Sequence, residues 1–303
     1  MKNRFLLPLL PLLLFCLSAT AEDTIYQPFV LASVNETGLE AQTQTTIDLL
    51  AEAGFTLVGQ YSPVEDANVL VVTSPALLEI AAASDKGGYG AAERVSITER
   101  DGKTEVAFIN PLYIQHAYRM EADMQEPYNL LSATLGNEVS FGAEKKLTAK
   151  KLGKYHYMAT MPYFDDPYEL GTFDSHEAAV AAVEEGLAVE GDALTLVYRI
   201  DIPGKNQTVF GVDMKATSDA DEEIEIDSAH QLSIVDFEGY SKVAYFPYEV
   251  LVDGNNVEAL HMRFRMAVHF PDLSMTGKHG FTKLIKAPGA TEDVLEAMVD
   301  TSK

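Results

Sequence analysis

Two aspartate-glycine turns most limit what this chain can fold into. Asp101-Gly102 joins runs of alternating polarity at residues 94–99 and 105–110, and Asp253-Gly254 joins residues 247–252 to 257–270. A DG pair between two such runs marks a tight hairpin, so each half of the chain must hold antiparallel strands. The surroundings of the two turns read alike. In the first half, residues 26–34 form a strand, and Thr37 with Glu40 makes a capping box for a helix to Gly54, its inner face Leu39, Thr43, Ile47 and Leu50. Strands at 56–61 and 68–73, a helix opened by Pro75, and helical segments at 113–120 and 127–135 complete it. In the second half, residues 155–163 read as a strand, and Asp174 with Glu177 as a capping box before a helix ending at Gly186. Strands at 194–201 and 208–214 follow about Pro203-Gly204, and a last helix starts with Thr291 as its N-cap. The repeated order predicts an α+β fold of two tandem related domains, each an antiparallel sheet with helices packed on one face. The expected units are residues 22–150 and 151–303, meeting in the basic, polar stretch 144–154.

Residues 1–21 carry the marks of a cleavable signal peptide: Lys2 and Arg4, an apolar run at 5–17, and Ala19-Thr20-Ala21. Pro8 and Pro11 interrupt that run, which falls short of the roughly 20 residues that span a bilayer. No later segment reaches that length, so an exported, periplasmic chain without an integral membrane segment is expected. The one cysteine, Cys16, goes with the signal, which excludes disulfides, thiolate metal sites and cysteine nucleophiles from the mature chain. With 46 acidic residues against 22 Lys and Arg, the net charge of −24 repels a phosphate backbone and excludes nucleic acid as a partner. A hydrophobic content of 47% supplies a core and excludes an acidic disordered chain.

Gly87-Gly88-Tyr89-Gly90, Arg94-Val95-Ser96-Ile97, Glu105-Val106 and Asn110-Pro111-Leu112-Tyr113 together resemble the bacterial domain-of-unknown-function family number 302, over about residues 26–140. The resemblance implies a TATA-binding-protein-like α+β fold, and the name of that fold implies nothing about DNA. It carries no catalytic residue onto this chain. The second half lacks the Asn-Pro-x-Tyr sequence, and its membership rests on the repeated layout.

The strongest candidate site lies at 257–270. Read as a strand, alternation puts Met262, Phe264, Met266, Val268 and Phe270 on one face and His261, Arg263, Arg265 and His269 on the other. Two arginines and two histidines on one face of an acidic protein suggest a ligand-binding row for a small anionic or amphipathic molecule. The competing reading pairs these cations with Glu249 or Glu258 on a solvated surface. On a straight strand His261 and His269 stand roughly 26 Å apart, too far to share a metal ion. No metal site is expected, and no cofactor is predicted; a haem held by a single histidine, with arginines on its propionates, remains the one cofactor in view.

Tyr113, His116 and Arg119 form a second candidate cluster, His116 and Arg119 sharing a helical face if residues 113–120 are helical. The acidic run from Asp219 to Asp227 lacks the glycine and glutamate of an EF-hand loop and reads as a solvated loop. Gly87-Gly88-Tyr89-Gly90 reads as a flexible loop before the hairpin. No nucleophile elbow, zinc-protease helix, P-loop or dinucleotide fingerprint is present. Binding of a small anionic or amphipathic ligand is therefore the leading expectation. A periplasmic hydrolase or redox enzyme using a histidine and a carboxylate, and a protein-interaction module without a small ligand that pairs sheet edges or forms a homodimer, are the alternatives.

Overall fold

Val69, Leu70, Val71 and Val72 are buried on both faces because their strand lies inside a sheet, one place from its edge. The computed structural model describes residues 24–189, 193–218 and 224–300. The signal-peptide reading, and Asp219, Asp221, Glu222 and Glu223 of the acidic run, lie outside them. The first half runs β1 (Ile25–Tyr26), β2 (Phe29–Asn35), α1 (Leu39–Glu52), β3 (Thr56–Val64), β4 (Ala67–Thr73) and α2 (Pro75–Ala83). After a short helical turn at Gly87–Gly90 come β5 (Glu93–Arg100), β6 (Lys103–Ile109), α3 (Pro111–Ala117), α4 (Gln125–Leu135) and β7 (Val139–Phe141). A small connection, β8 (Leu147–Thr148) and α5 (Ala149–Leu152), leads to β9 (Tyr168–Thr172), α6 (His176–Leu187), β10 (Leu194–Asp201) and β11 (Gln207–Met214). Then follow α7 (Ser228–Val235), a helical turn at Val243–Tyr245, β12 (Tyr248–Asp253), β13 (Asn256–Ala259), α8 (Met262–His269) and α9 (Ala287–Val299).

The fold is α+β, and its two large sheets are antiparallel throughout. One has the order β3-β4-β5-β6-β2-β7 and the other β10-β11-β12-β13-β9. Five strands of the first thus follow the same path as the five of the second. Helices α1 and α4 pack on the first sheet, and α6 and α9 on the second. The remaining faces turn toward each other. Each is finished by a helical turn from the other half: Gly87–Gly90 packs on β11 and β12, and Val243–Tyr245 on β4, β5 and β6. Gly88 sits so close to this junction that an added Cβ would lie 2.4 Å from Leu251 Cδ1. The stretch expected to be a flexible glycine loop is therefore fully buried.

Both hairpins form. Asp101 and Gly102 take the positive φ values of 53° and 72° that a type I′ turn needs. The second turn is centred one residue later than expected, on Gly254-Asn255, with Asp253 facing Asn256 across the ladder. Neither capping box forms. Asn35 Oδ1 accepts from Thr37 N at 2.9 Å, which carries the chain on so that α1 starts at Leu39 behind Gly38. At α6 the cap is Ser175, whose Oγ accepts from Ala178 N. The last helix begins four residues before Thr291, because Pro288 suits the first turn, and Thr291 is buried within it.

Two strand expectations fail. Residues 155–163 pair with no strand; Tyr155 and Tyr157 are held instead by hydroxyls that donate to Ala267 O at 2.7 Å and Leu273 O at 2.9 Å. At 257–270 the strand stops at Ala259 and a helix follows. His261 caps it, its Nδ1 accepting from Arg263 N at 3.2 Å, and Leu260 O is taken by the Tyr248 hydroxyl. Seven of the eight residues of α8, all but Arg263, are buried. An apolar alternation that happens to have period two can thus be carried by a helix buried almost all round.

Candidate functional site

The helical geometry of α8 takes the predicted row apart. Successive residues turn about 100° around a helix, so Arg263 and Arg265 point about 200° apart. Arg265 and His269, four residues apart, share the inner face and are both 0% exposed. Arg263 faces solvent. His261 sits at the cap, stacked on the Tyr168 ring at 4.3 Å. Burial and the neighbouring Arg263 push its pKa down to about 4. Eight helical residues rise only about 12 Å, so the 26 Å separation expected for His261 and His269 does not hold, although a shared metal ion stays out of reach.

Inward, Arg265 meets the helical turn at Val243–Tyr245 and strand β12. Its Nη2 donates to Tyr245 O at 2.6 Å and to Pro247 O, and its guanidinium lies between the rings of Tyr245 and Tyr248, 4.2 and 4.8 Å from their centroids. Glu249, on β12, holds the middle of the cluster. Its Oε1 accepts from the Tyr198 hydroxyl at 3.2 Å, while Oε2 lies 3.0 Å from Arg94 Nη1 and 3.6 Å from Arg265 Nε. Both contacts to Oε2 are ion pairs and not hydrogen bonds, the one to Arg265 being too long. The expected partner Glu249 is therefore present, but in the interior and not on a solvated face; Glu258, the other expected acid, pairs with Lys86. His269 Nδ1 lies 2.8 Å from Arg265 O and so carries the ring proton. Burial, reinforced by the two arginines, lowers its pKa well below the usual value and keeps it neutral. Glu93, next to Arg94 and also buried, is raised by desolvation to about 8 against the pull of Arg94.

Outward, Arg263 stands on a pocket of about 220 Å³. Met262 and Met266 of α8 form one wall, Met158 and Met161 another, with Met275, Phe281, Leu284, Ile285 and Pro288 closing it and Thr160 and Thr282 at its edge. Arg94, Arg100, Arg119, Arg199 and Arg265 each pair with a carboxylate. Among the described residues, Arg263 is the one arginine that makes no ion pair. A larger groove of about 640 Å³ runs past Phe141, Phe237 and Tyr240, but Glu144, Glu238 and Asp272 outnumber Lys242 in its lining and disfavour an anion. Comparison with known proteins finds no match: no family model, no curated protein and no solved structure. The reading of the pocket rests on its own chemistry.

The second candidate cluster separates. The Tyr113 hydroxyl is buried and donates to Val268 O at 2.6 Å. His116 packs edge-on to Tyr26, its pKa lowered by burial. Arg119 lies beyond the end of α3 at a φ of 55°, so it does not share the face of His116; it reaches Gly153 O and, at 3.0 Å, Asp165. Asp227, at the end of the acidic run, caps α7 by accepting from His230 N. No group of three His, Asp or Glu able to hold a metal ion occurs among the described residues. Sequence reasoning missed the Arg94–Glu249 pair and the methionine pocket. Arg94 and Glu249 each look like an ordinary outward position of an alternating strand, and the pocket draws its walls from three separate segments.

Proposed function

We propose that this chain is an exported, periplasmic protein that binds a small amphipathic anion, with the anionic head on Arg263 and the aliphatic tail among the methionines. One observation carries the reading. In a chain with 46 acidic residues, the single described arginine that makes no ion pair stands on the rim of a mainly apolar pocket. Concave apolar walls with a few convergent polar groups are the usual make-up of a small-molecule site, and methionine, unbranched and polarisable, adapts to flexible chains. Export is supported by the pattern of residues 1–21. The shared strand order supports a reading of residues 22–150 and 151–303 as two copies of one α+β unit, the kind of fold that the family resemblance implies.

Calorimetric titration with straight-chain carboxylates from butanoate to decanoate tests the proposal. Each added methylene is expected to gain about 0.8 kcal/mol, roughly fourfold in affinity, until the pocket is full. Arg263→Ala should weaken octanoate at least tenfold while leaving the uncharged octanol unchanged. Equal octanoate affinity in the two proteins, or no dependence on chain length, would exclude this site.

A further inference from the structure

Arg94 and Arg265 bring two permanent positive charges to the junction of the sheets, where Glu249 supplies one negative charge to both. All three side chains are buried. A guanidinium does not lose its proton in a protein, so titration of the arginines cannot remove the excess. A buried charge left uncompensated is costly, which makes the junction a place where a further negative charge is stabilising.

The donors of the junction point to the same need. Arg94 Nε and Arg265 Nη1 make no hydrogen bond, nor do the buried hydroxyls of Tyr61 and Tyr118; the Tyr245 hydroxyl stands beside Arg265 without a bond of good geometry. Against them stand Glu249 Oε2, already shared by two cations, and the lone pair of His269 Nε2. Glu93 is the other carboxyl beside Arg94, and it is mostly protonated at neutral pH. Asp213 lies farther out, accepting from Ser228 Oγ.

We propose that the junction holds one small inorganic monoanion of the size of chloride, seated against the free edges of Arg94 and Arg265. The size follows from the surrounding rings. Tyr245 and Tyr248 cover both faces of the Arg265 guanidinium, and the His269 ring stands 5.2 Å from that of Tyr245 and 6.2 Å from that of Tyr118. Rings packed this closely exclude an organic acid and limit any occupant to a single small ion. Because the ion touches Arg94 of the first sheet and Arg265 of α8, it links the two halves. This site is separate from the Arg263 pocket and does not depend on it.

The test uses the full chain, unfolded and refolded in sodium gluconate, then titrated with sodium bromide at constant ionic strength. Once bromide exceeds its dissociation constant, the unfolding equilibrium constant should fall tenfold for each tenfold rise in bromide. Bromide-soaked crystals should show an anomalous peak beside Arg94 Nε and Arg265 Nη1. Arg94→Met, which leaves Glu249 and Arg265 as a balanced pair, should abolish the bromide dependence. Wild-type stability indifferent to bromide, a peak seen only in the crystal, or density that refines as water would each overturn the proposal. Retained dependence in Arg94→Met would do so as well. The wild-type titration decides the question even if that variant does not fold.

Discussion

Arg94 and Glu249 occupy corresponding places in the two sheets and pair with each other across the junction. Arg94 faces Val71 on the preceding strand, one residue before Val95 faces Phe108; Glu249 faces Gly211, one residue before Val250 faces Ala259. The correspondence continues past the hairpins. Asn110 caps α3 with its side chain, and His261 caps α8 in the same way. A position that is basic in one sheet is acidic in the other, so the two faces attract where two identical faces would repel.

This arrangement predicts an asymmetry between two substitutions. Glu249→Gln takes from two buried guanidinium groups the carboxylate they share, and a loss of about 3–5 kcal/mol is expected, the usual cost of breaking a buried pair from one side. Arg94→Met leaves Glu249 matched by Arg265 and should cost at least about 1 kcal/mol less. Urea denaturation of the two variants at pH 7 checks the order, and an equal or reversed ranking would show that Arg265 does not share the charge of Glu249.

Glu93 makes stability depend on pH. Its folded pKa of about 8 lies above the ordinary glutamate value of 4.5, so between those values the folded state holds a proton that the unfolded state has released. Stability therefore falls as pH rises through that window. His269 and His261, both with lowered pKa values, act in the opposite direction below the ordinary histidine value of 6.5. The fall should accordingly emerge between about pH 6.5 and 8. Glu93→Gln is expected to flatten it, matching wild type near pH 6 and exceeding it at pH 8, as measured by denaturation midpoints.

Two tyrosines finish the C-terminal end of α8. Tyr155 and Tyr113 donate to the consecutive carbonyls of Ala267 and Val268, at 2.7 and 2.6 Å, and so satisfy groups that a helix end leaves without internal partners. Tyr113→Phe and Tyr155→Phe should each cost about 1 kcal/mol. Amide exchange in residues 262–269 should accelerate in both variants, more in the double mutant than in either single one.

Close packing and open helix surface can be told apart by two glycine-to-alanine changes. At Gly87 a Cβ would lie 1.8 Å from Ala81 O, a backbone atom that cannot step aside, and a loss of about 1–3 kcal/mol is expected. At Gly289, inside α9, nothing lies within 4 Å, and alanine should raise stability by about 0.5–1 kcal/mol. Thermal melts of the two variants are the check.

Much of the architecture was legible from local signals. The Asp101-Gly102 turn, Pro75 opening α2 and the β-branched runs of β4 and β11 each act through the backbone of a few neighbouring residues, and each element formed where those residues stand. The site was harder to read. Met262, Phe264, Met266, Val268 and Phe270 alternate as a strand would, and a helix enclosed on nearly every side has no polar stripe to betray its period. Histidine is not among the common capping residues, so His261 gave no sign that a helix begins there. Arg263 and Arg265 were picked out by charge but joined in one row, and the turn of the helix assigns one to a surface pocket and the other to the interior.

The crossing of the two helical turns, Gly87–Gly90 onto one sheet and Val243–Tyr245 onto the other, governs how the molecule comes apart. Neither half can close its own inner surface, because the segment that seals it belongs to the opposite end of the chain. Heating should thus melt both halves in a single transition, with no state in which one sheet survives alone. Supplied as two separate polypeptides cut between β8 and β9, the halves should each stay unfolded until mixed, and then fold by clasping one another.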